Sequence, residues 1–301
     1  MTSKYAAINA KELSDIGLNF ENLLVDDCNL IPEIEVLLAL TSQIDPSKLK
    51  RLCLFGHENG GRPQCFNERL KAAGASITFM DRIIFSGFSK THRLPAYNTF
   101  SLPWQKWTNT AQVSESKIFE KALQFVHVPI VIGKGEEMPM KNYIQNLDEA
   151  EYAVAVFQLL RLYDIPAKDI AIIAAYKGQV DLIKEVLQTR CDWTDYYGKP
   201  AFIGTIDQSS GLHFRNVIVS LVRTNFVGFL SDTSRLELAL TRSSDNLIIL
   251  GFAEIFASNG CYFESLVKQH GFTLKLQNGT SFSSVEELSN YVYEQSMKSL
   301  Q

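Results

Sequence analysis

The fold is decided by GTIDQSSGLHFRNVIVSLVRTNFVGFLSDTSRLELALTRSSDNLIILG, residues 204–251. Within it a Thr-x-Asp, Thr205 and Asp207, ends one apolar run and is followed by a glycine turn at Gly211. A second run, Val217-Ile218-Val219-Ser220-Leu221-Val222, delivers Arg223 and Thr224 at its end. A segment of helical character, Arg235 to Arg242, then leads into a third run, Leu247-Ile248-Ile249-Leu250. Short, continuously apolar runs alternating with a helix predict strands covered on both faces, hence an α/β fold with a parallel sheet. Ligands of open α/β sheets bind beyond the C-terminal ends of the strands. That edge is expected to carry Asp207, Arg223 and Arg242, and two arginines there suit phosphate.

Outward from this stretch the same alternation continues. Residues 129–133, PIVIG, read as a strand, followed by a polar turn from Gly133 to Met140. Asn146 and Glu149 open a helix in capping style, and Ala150, Ala153, Val154, Phe157 and Leu160 give it an apolar face. Pro166 separates this helix from a strand at 169–175, after which Tyr176 and Gln179 stand at the sheet's expected C-terminal edge. The parallel sheet is thus expected across residues 129–251. Residues 101–128 read as loop, with Trp104 and Trp107 available either for base stacking or for packing.

Toward the start, residues 1–20 read as a short apolar start and a helix, with Ser14, Asp15 and Gly17 near its end. NLLVDD, residues 22–27, is a strand capped by Asp26 and Asp27. A helix over 31–41 carries Pro32 in its first turn, and a strand follows at 51–55. Toward the end, residues 284–300 form a last helix with Ser284 at its cap and an apolar face of Leu288, Tyr291, Val292 and Met297.

Composition narrows the classes. The chain has 301 residues, 46% hydrophobic and 21% charged, with a net charge of −4. That is a globular composition without a global basic signature, so any nucleic-acid contact must be local. Cys28, Cys53, Cys65, Cys191 and Cys261 form no CxxC, and the five histidines add no zinc spacing, so no metal site is expected and free thiols are. No apolar run approaches membrane-spanning length, and the first residues lack the form of a signal peptide.

The residues of 204–251 closely resemble the last motifs of superfamily 1 helicases of the nonsense-mediated-decay type: TVDxFQGxE, LSxVR and RLNVALTRAR. Thr205, Asp207, Gly211, Leu221, Val222, Arg223, Arg235, Leu236, Ala239, Leu240, Thr241 and Arg242 match, while Ser210 and His213 stand in place of the motif's Gln and Glu. Ala174-Ala175-Tyr176-Lys177-Gly178-Gln179 is similar to the family's TPYxxQ. YIQNLDEAEYAVAVF, SLVRTNFVGFLSD and NYVYEQSMKSLQ narrow the resemblance to Aquarius-type proteins, the spliceosomal intron-binding branch.

The resemblance implies a first RecA-like lobe's C-terminal part at 1–90, a second lobe at 91–260, and a tail with a docking helix at 261–301. It implies Asp26 and Asp27 as a vestigial carboxylate pair and Tyr176, Gln179, Arg223 and Arg242 as a vestigial nucleotide set. It implies RNA contacts at Thr205 and Asp207. GHENGGRP at 56–63 replaces the family's GDxxQLPP, Arg93 falls near the expected arginine motif without its pattern, and no GxxxxGK[ST] is present. No cofactor is therefore expected, ATP and Mg²⁺ entering only if a phosphate-binding loop lies upstream. The implied role is nuclear pre-mRNA splicing, with spliceosomal proteins and intron RNA as partners and no membrane. The alternatives are an active ATP-dependent RNA helicase whose phosphate loop precedes this chain, and a scaffold without RNA contact.

Overall fold

The computed structural model describes residues 2–43, 45–56, 62–63, 65, 67–87, 116, 118–131, 135–231, 233–257 and 273–299. The chain divides into two compact units, Met1–Pro95 and Ala96–Gln301. Arg93, Trp104, Trp107 and the His57–Gly60 stretch lie outside the described residues, as does Cys261.

In the first unit, Thr2 caps α1 (Ser3–Ile8), and a break at Asn9 starts α2 (Ala10–Asp15), so the single expected helix is two short ones. Strand β1 (Asn22–Val25) pairs in parallel with β2 (Arg51–Leu54), Asn22 opposite Arg51 and Val25 opposite Leu54. Between them lies α3 (Glu33–Thr41). Pro32 is the residue just before that helix rather than within its first turn, with a φ of −55° that leads the chain in. Helix α4 (Glu68–Ala72) follows, and α5 (Phe79–Phe85) is closed by a capping box between Thr78 and Asp81.

The second unit contains β3 (Leu123–His127), β4 (Glu136–Met140), β5 (Tyr143–Asn146), α6 (Leu147–Leu162), β6 (Ile170–Ala174), α7 (Lys177–Cys191), β7 (Phe202–Thr205), β8 (Phe214–Ser220), α8 (Thr233–Leu240), β9 (Ser243–Gly251), α9 (Ala253–Ala257), β10 (Leu274–Lys275), β11 (Ser281–Phe282) and α10 (Val285–Ser299). Five strands form one parallel sheet in the order β3-β9-β8-β6-β7. Alternate residues of each strand feed two cores. Ile172, Ile218 and Ile248 pack beneath α6, α7 and α10, whereas Ile173, Val219 and Ile249 pack beneath α8. A sheet covered on both faces explains why its strands are apolar without alternation.

Two expectations shift. The strand expected at 129–133 lies instead at Leu123–His127; Ile130 and Val131 are exposed. Polar residues disguise β3, because Gln124 is buried and exchanges two hydrogen bonds with the backbone of Lys275, while His127 Nδ1 accepts from the Ala253 N–H. The polar turn expected at Gly133–Met140 holds strand β4, which pairs antiparallel with β5. Among the described residues Cys28, Cys53, Cys65 and Cys191 are free, and no helix is long and apolar enough to cross a membrane.

Candidate functional site

Beyond the C-terminal ends of the strands, Tyr176 follows β6, Asp207 follows β7 and Arg223 follows β8. The turn after β8 is unusual. Val222 has a φ of +74°, a conformation that costs a β-branched residue dearly and persists only where its surroundings hold it. Those surroundings are a buried polar network. Glu149 Oε2 accepts from the Ser220 hydroxyl at 2.6 Å and the Val222 N–H at 2.8 Å. Asn146 Nδ2 donates to the Val222 carbonyl at 3.1 Å. Glu149 is fully buried and desolvation pushes its carboxyl up to about 8, against the hydrogen bonds from Ser220 and the backbone.

The turn places Arg223, itself only 4% exposed. Its guanidinium lies 3.8 Å from the ring centre of Phe226 on one side and 5.6 Å from that of Tyr176 on another. Nη1 donates to the Tyr176 hydroxyl at 3.3 Å. Nε stands 2.9 Å from Glu136 Oε2, an ion pair whose angle falls outside hydrogen-bond geometry. Tyr176 meets Phe229 edge to face at 4.6 Å, and Phe229 in turn carries the guanidinium of Arg235 at 5.2 Å. Gly228, with φ +63°, admits this packing, since a Cβ there would meet the Tyr176 hydroxyl at 2.9 Å. Arg235 pairs with Asp207 at 3.2 Å. Arg235 is absent from the expected site residues, although its match to RLNVALTRAR is a signal in the sequence.

The structure therefore joins Tyr176, Asp207 and Arg223 at one edge, with Thr205 beside them in a turn where its N–H donates to Gln208 Oε1 at 2.9 Å. Arg242 is not with them. It precedes β9, and its carbonyl accepts from the Phe214 N–H at the beginning of β8. That is the opposite edge, roughly 20 Å away along a seven-residue strand. The expectation that this arginine shares the C-terminal edge is corrected by the parallel register of β8 and β9. There it is buried, donates to the carbonyls of Leu238 and Leu212 and to the Thr241 hydroxyl, and burial pushes its guanidinium down to about 10. Gln179 lies near the expected edge but is fully enclosed, its amide spent on the Asn146 backbone and Ser220. It ties α7 to α6 and presents no atom outward.

Asp26 and Asp27 belong to the first unit. Both are exposed at the surface, the Asp27 N–H donates to Asp26 Oδ1 at 3.0 Å, and partial desolvation by the surrounding atoms, followed by the charge of Asp26, raises the Asp27 carboxyl above its usual range. The residues present do not by themselves fit a nucleotide with its metal. Gln179 is enclosed, Arg223 is neutralised by Glu136, and Arg242 stands at the other edge.

A family model described as an AAA domain matches residues 87–254. Over 284 residues, 87% of this chain, the sequence is 29% identical to RNA helicase aquarius of Mus musculus, covering 19% of that protein. It is 30% identical over 74% of its length to pre-mRNA-splicing factor cwf11 of Schizosaccharomyces pombe, covering 17% of it. It is 26% identical over 80% of its length to probable helicase senataxin of Mus musculus, covering 9% of it. The chain thus spans less than a fifth of each of these relatives. The five-stranded parallel sheet flanked by helices is a RecA-like α/β lobe.

Proposed function

The chain belongs to the AAA domain family, and on that premise we propose that it is a degenerate, helicase-like RNA-binding and scaffolding module of the nuclear spliceosome. The observation that carries this reading is similarity across 87% of the chain to RNA helicase aquarius and across 74% to the splicing factor cwf11. Intron RNA and spliceosomal proteins are its partners in this reading. Thr205 and Asp207 are its RNA contacts. A carboxylate repels phosphate, but Asp207 is held by Arg235 and half exposed, which suits it to accept from a ribose 2′-hydroxyl. Recognition through backbone and ribose carries little sequence preference.

Tyr176, Gln179, Arg223 and Arg242 are the vestiges of a nucleotide site, and Asp26 and Asp27 those of a carboxylate pair. The 301 residues hold no GxxxxGK[ST] loop to cradle phosphates, and alone they hydrolyse no ATP.

The test is twofold. The purified chain is titrated against single-stranded oligonucleotides by fluorescence anisotropy, and the tagged chain is added to nuclear extract assembled on intron-containing or intronless transcripts. Binding to RNA, not to DNA of the same sequence, weakened several-fold by Asp207→Ala, is expected, with enrichment on the intron-containing transcript. Equal affinity for DNA, or equal retention on both transcripts, overturns the reading. RNA-stimulated phosphate release by the chain alone overturns the degenerate part of it.

A further inference from the structure

Glu136 opens the β4–β5 hairpin, and its carboxylate does not face water. Oε2 accepts from the N–H groups of Thr224 at 2.8 Å and Asn225 at 3.2 Å, and Arg223 Nε stands 2.9 Å away. Two successive backbone N–H groups and a guanidinium converge on one oxygen. That is the donor set of an oxyanion site: adjacent N–H groups form a concave nest for an anion, and arginine supplies the opposing charge. The approach is built in from the other side as well. The Glu136 N–H donates to Thr224 Oγ1 at 3.0 Å. The preceding residue is Gly135 at φ +78°, where a Cβ would stand 2.8 Å from that same hydroxyl oxygen. A residue with a side chain there would hold the hairpin off the nest. Phe226 stacks on the guanidinium.

We propose that the Arg223–Thr224–Asn225 turn is a phosphoryl-oxyanion site and that Glu136 is its built-in occupant. A phosphate reaches Arg223 only by exchange with this carboxylate, which happens when the hairpin lifts. In the closed arrangement described here the site is self-neutralised, so Arg223 contributes nothing to ligand affinity. The phosphoryl group could belong to a nucleotide or to an RNA backbone, and the two sources are separable.

The experiment measures binding of inorganic pyrophosphate and of an oligouridylate by isothermal titration to the parent chain, Glu136→Gln, Arg223→Gln and the double variant. Glutamine keeps an acceptor for the Thr224 and Asn225 N–H groups, so the turn stays formed while the competing charge goes. Glu136→Gln is expected to bind pyrophosphate at least roughly tenfold tighter than the parent, the scale of one charge-assisted contact. The double variant is expected to lose that gain, and Arg223→Gln alone to leave the parent's weak binding unchanged. A gain for pyrophosphate with none for oligouridylate assigns the site to a free or nucleotide phosphate, and the reverse assigns it to RNA backbone. No gain for either ligand, or a gain that survives in the double variant, overturns the proposal. Should Glu136→Gln fail to fold, Arg223→Gln decides: a loss of affinity in it means that Arg223 already serves ligand and that Glu136 does not mask it. Pyrophosphate as a probe keeps the outcome separate from whether the chain binds RNA.

Discussion

Glu149 shows how a residue's type is legible while its use is not. Asn146 followed three residues later by Glu149 reads as a helix start, and the Asn146 side chain does accept from the Glu149 N–H at 3.2 Å. The Glu149 carboxylate, however, does not reach back to close a capping box. It turns inward to Ser220 and Val222, more than seventy positions away in sequence, a separation that no local pattern encodes. The same holds for Glu136, whose partners in the Arg223 turn are farther still in sequence. Tyr176, Asp207 and Arg223 were legible because strand ends announce themselves, and the residues that hold them in place were not. A prediction follows from the burial of Glu149. Its carboxyl titrates at about 8 when folded against a reference of 4.5. The folded state therefore retains a proton that the unfolded chain has lost. The stability this confers is present in full below the unfolded value and is lost as pH rises through the folded one, at about 1.4 kcal/mol per pH unit between the two. Glu149→Gln keeps an acceptor for Ser220 and Val222 but carries no charge. Urea unfolding of parent and variant at pH 5.5 and pH 8 should show the parent losing stability relative to the variant by a few kcal/mol across that interval. Parallel pH profiles would mean that the carboxylate is ionised in the folded protein.

At the scale of elements, the sheet was legible and its flank was not. Strands β6, β8 and β9 are continuous apolar runs because both faces are covered. Strand β3 at the sheet's edge escaped because two of its five residues are polar and serve neighbouring backbones. Helix α10 lies within the expected 284–300, and three of the four residues expected on its apolar face pack while Met297 does not. Leu288 and Val292 are buried against α6, and Tyr291 packs on Phe282 with ring centres 5.2 Å apart. Met297 is 43% exposed and does not join that face. Val285, Leu288, Val292 and Ser296 form the i, i+3, i+4 stripe, and Ser296 rather than Met297 completes it by bonding to the Tyr197 hydroxyl. Removing residues 282–301 would delete Phe282, Val285, Leu288 and Val292, all buried, and uncover their partners on α6. At roughly 1.5 to 3 kcal/mol per large apolar side chain, less the entropy of ordering the segment, the loss is on the order of 5 kcal/mol. The melting temperature of the truncated chain should fall by about 10 to 20 °C in a thermal scan followed by circular dichroism. An unchanged melting point would show that the helix adds nothing to the lobe it covers. Leu288→Ala, a smaller lesion in the same seam, should cost about 2 to 5 kcal/mol.

At the scale of the whole molecule, the two units differ in what they can bury. The second holds the five-stranded sheet between two apolar layers. In the first, the described residues offer a two-stranded parallel sheet whose strands alternate between exposed and half-buried positions. Its fully buried apolar residues among those described are Ala6, Cys28, Val36 and Met80. Leu24 on β1 is 65% exposed, and Phe55, Ile34 and Phe85 are exposed as well. Parallel strands are ordinarily covered on both faces, and two strands without such cover do not sustain themselves in water. Each residue fixed on folding costs about 1 to 2 kcal/mol of backbone entropy, and the few side chains enclosed among the described residues of this unit supply little hydrophobic gain to offset it. Residues 96–301 expressed alone should therefore give a single cooperative urea transition with the full chain's helical signal per residue for that unit. Residues 1–95 expressed alone should give no cooperative transition, dispersed amide signals should be missing from their proton–nitrogen spectrum, and the fluorophore that reports exposed apolar surface should bind them. A sharp transition in the 1–95 fragment, with dispersed signals, would show that its open parallel pair folds without cover. The exposed residues on β1 and α3 would then be surface, not unburied core.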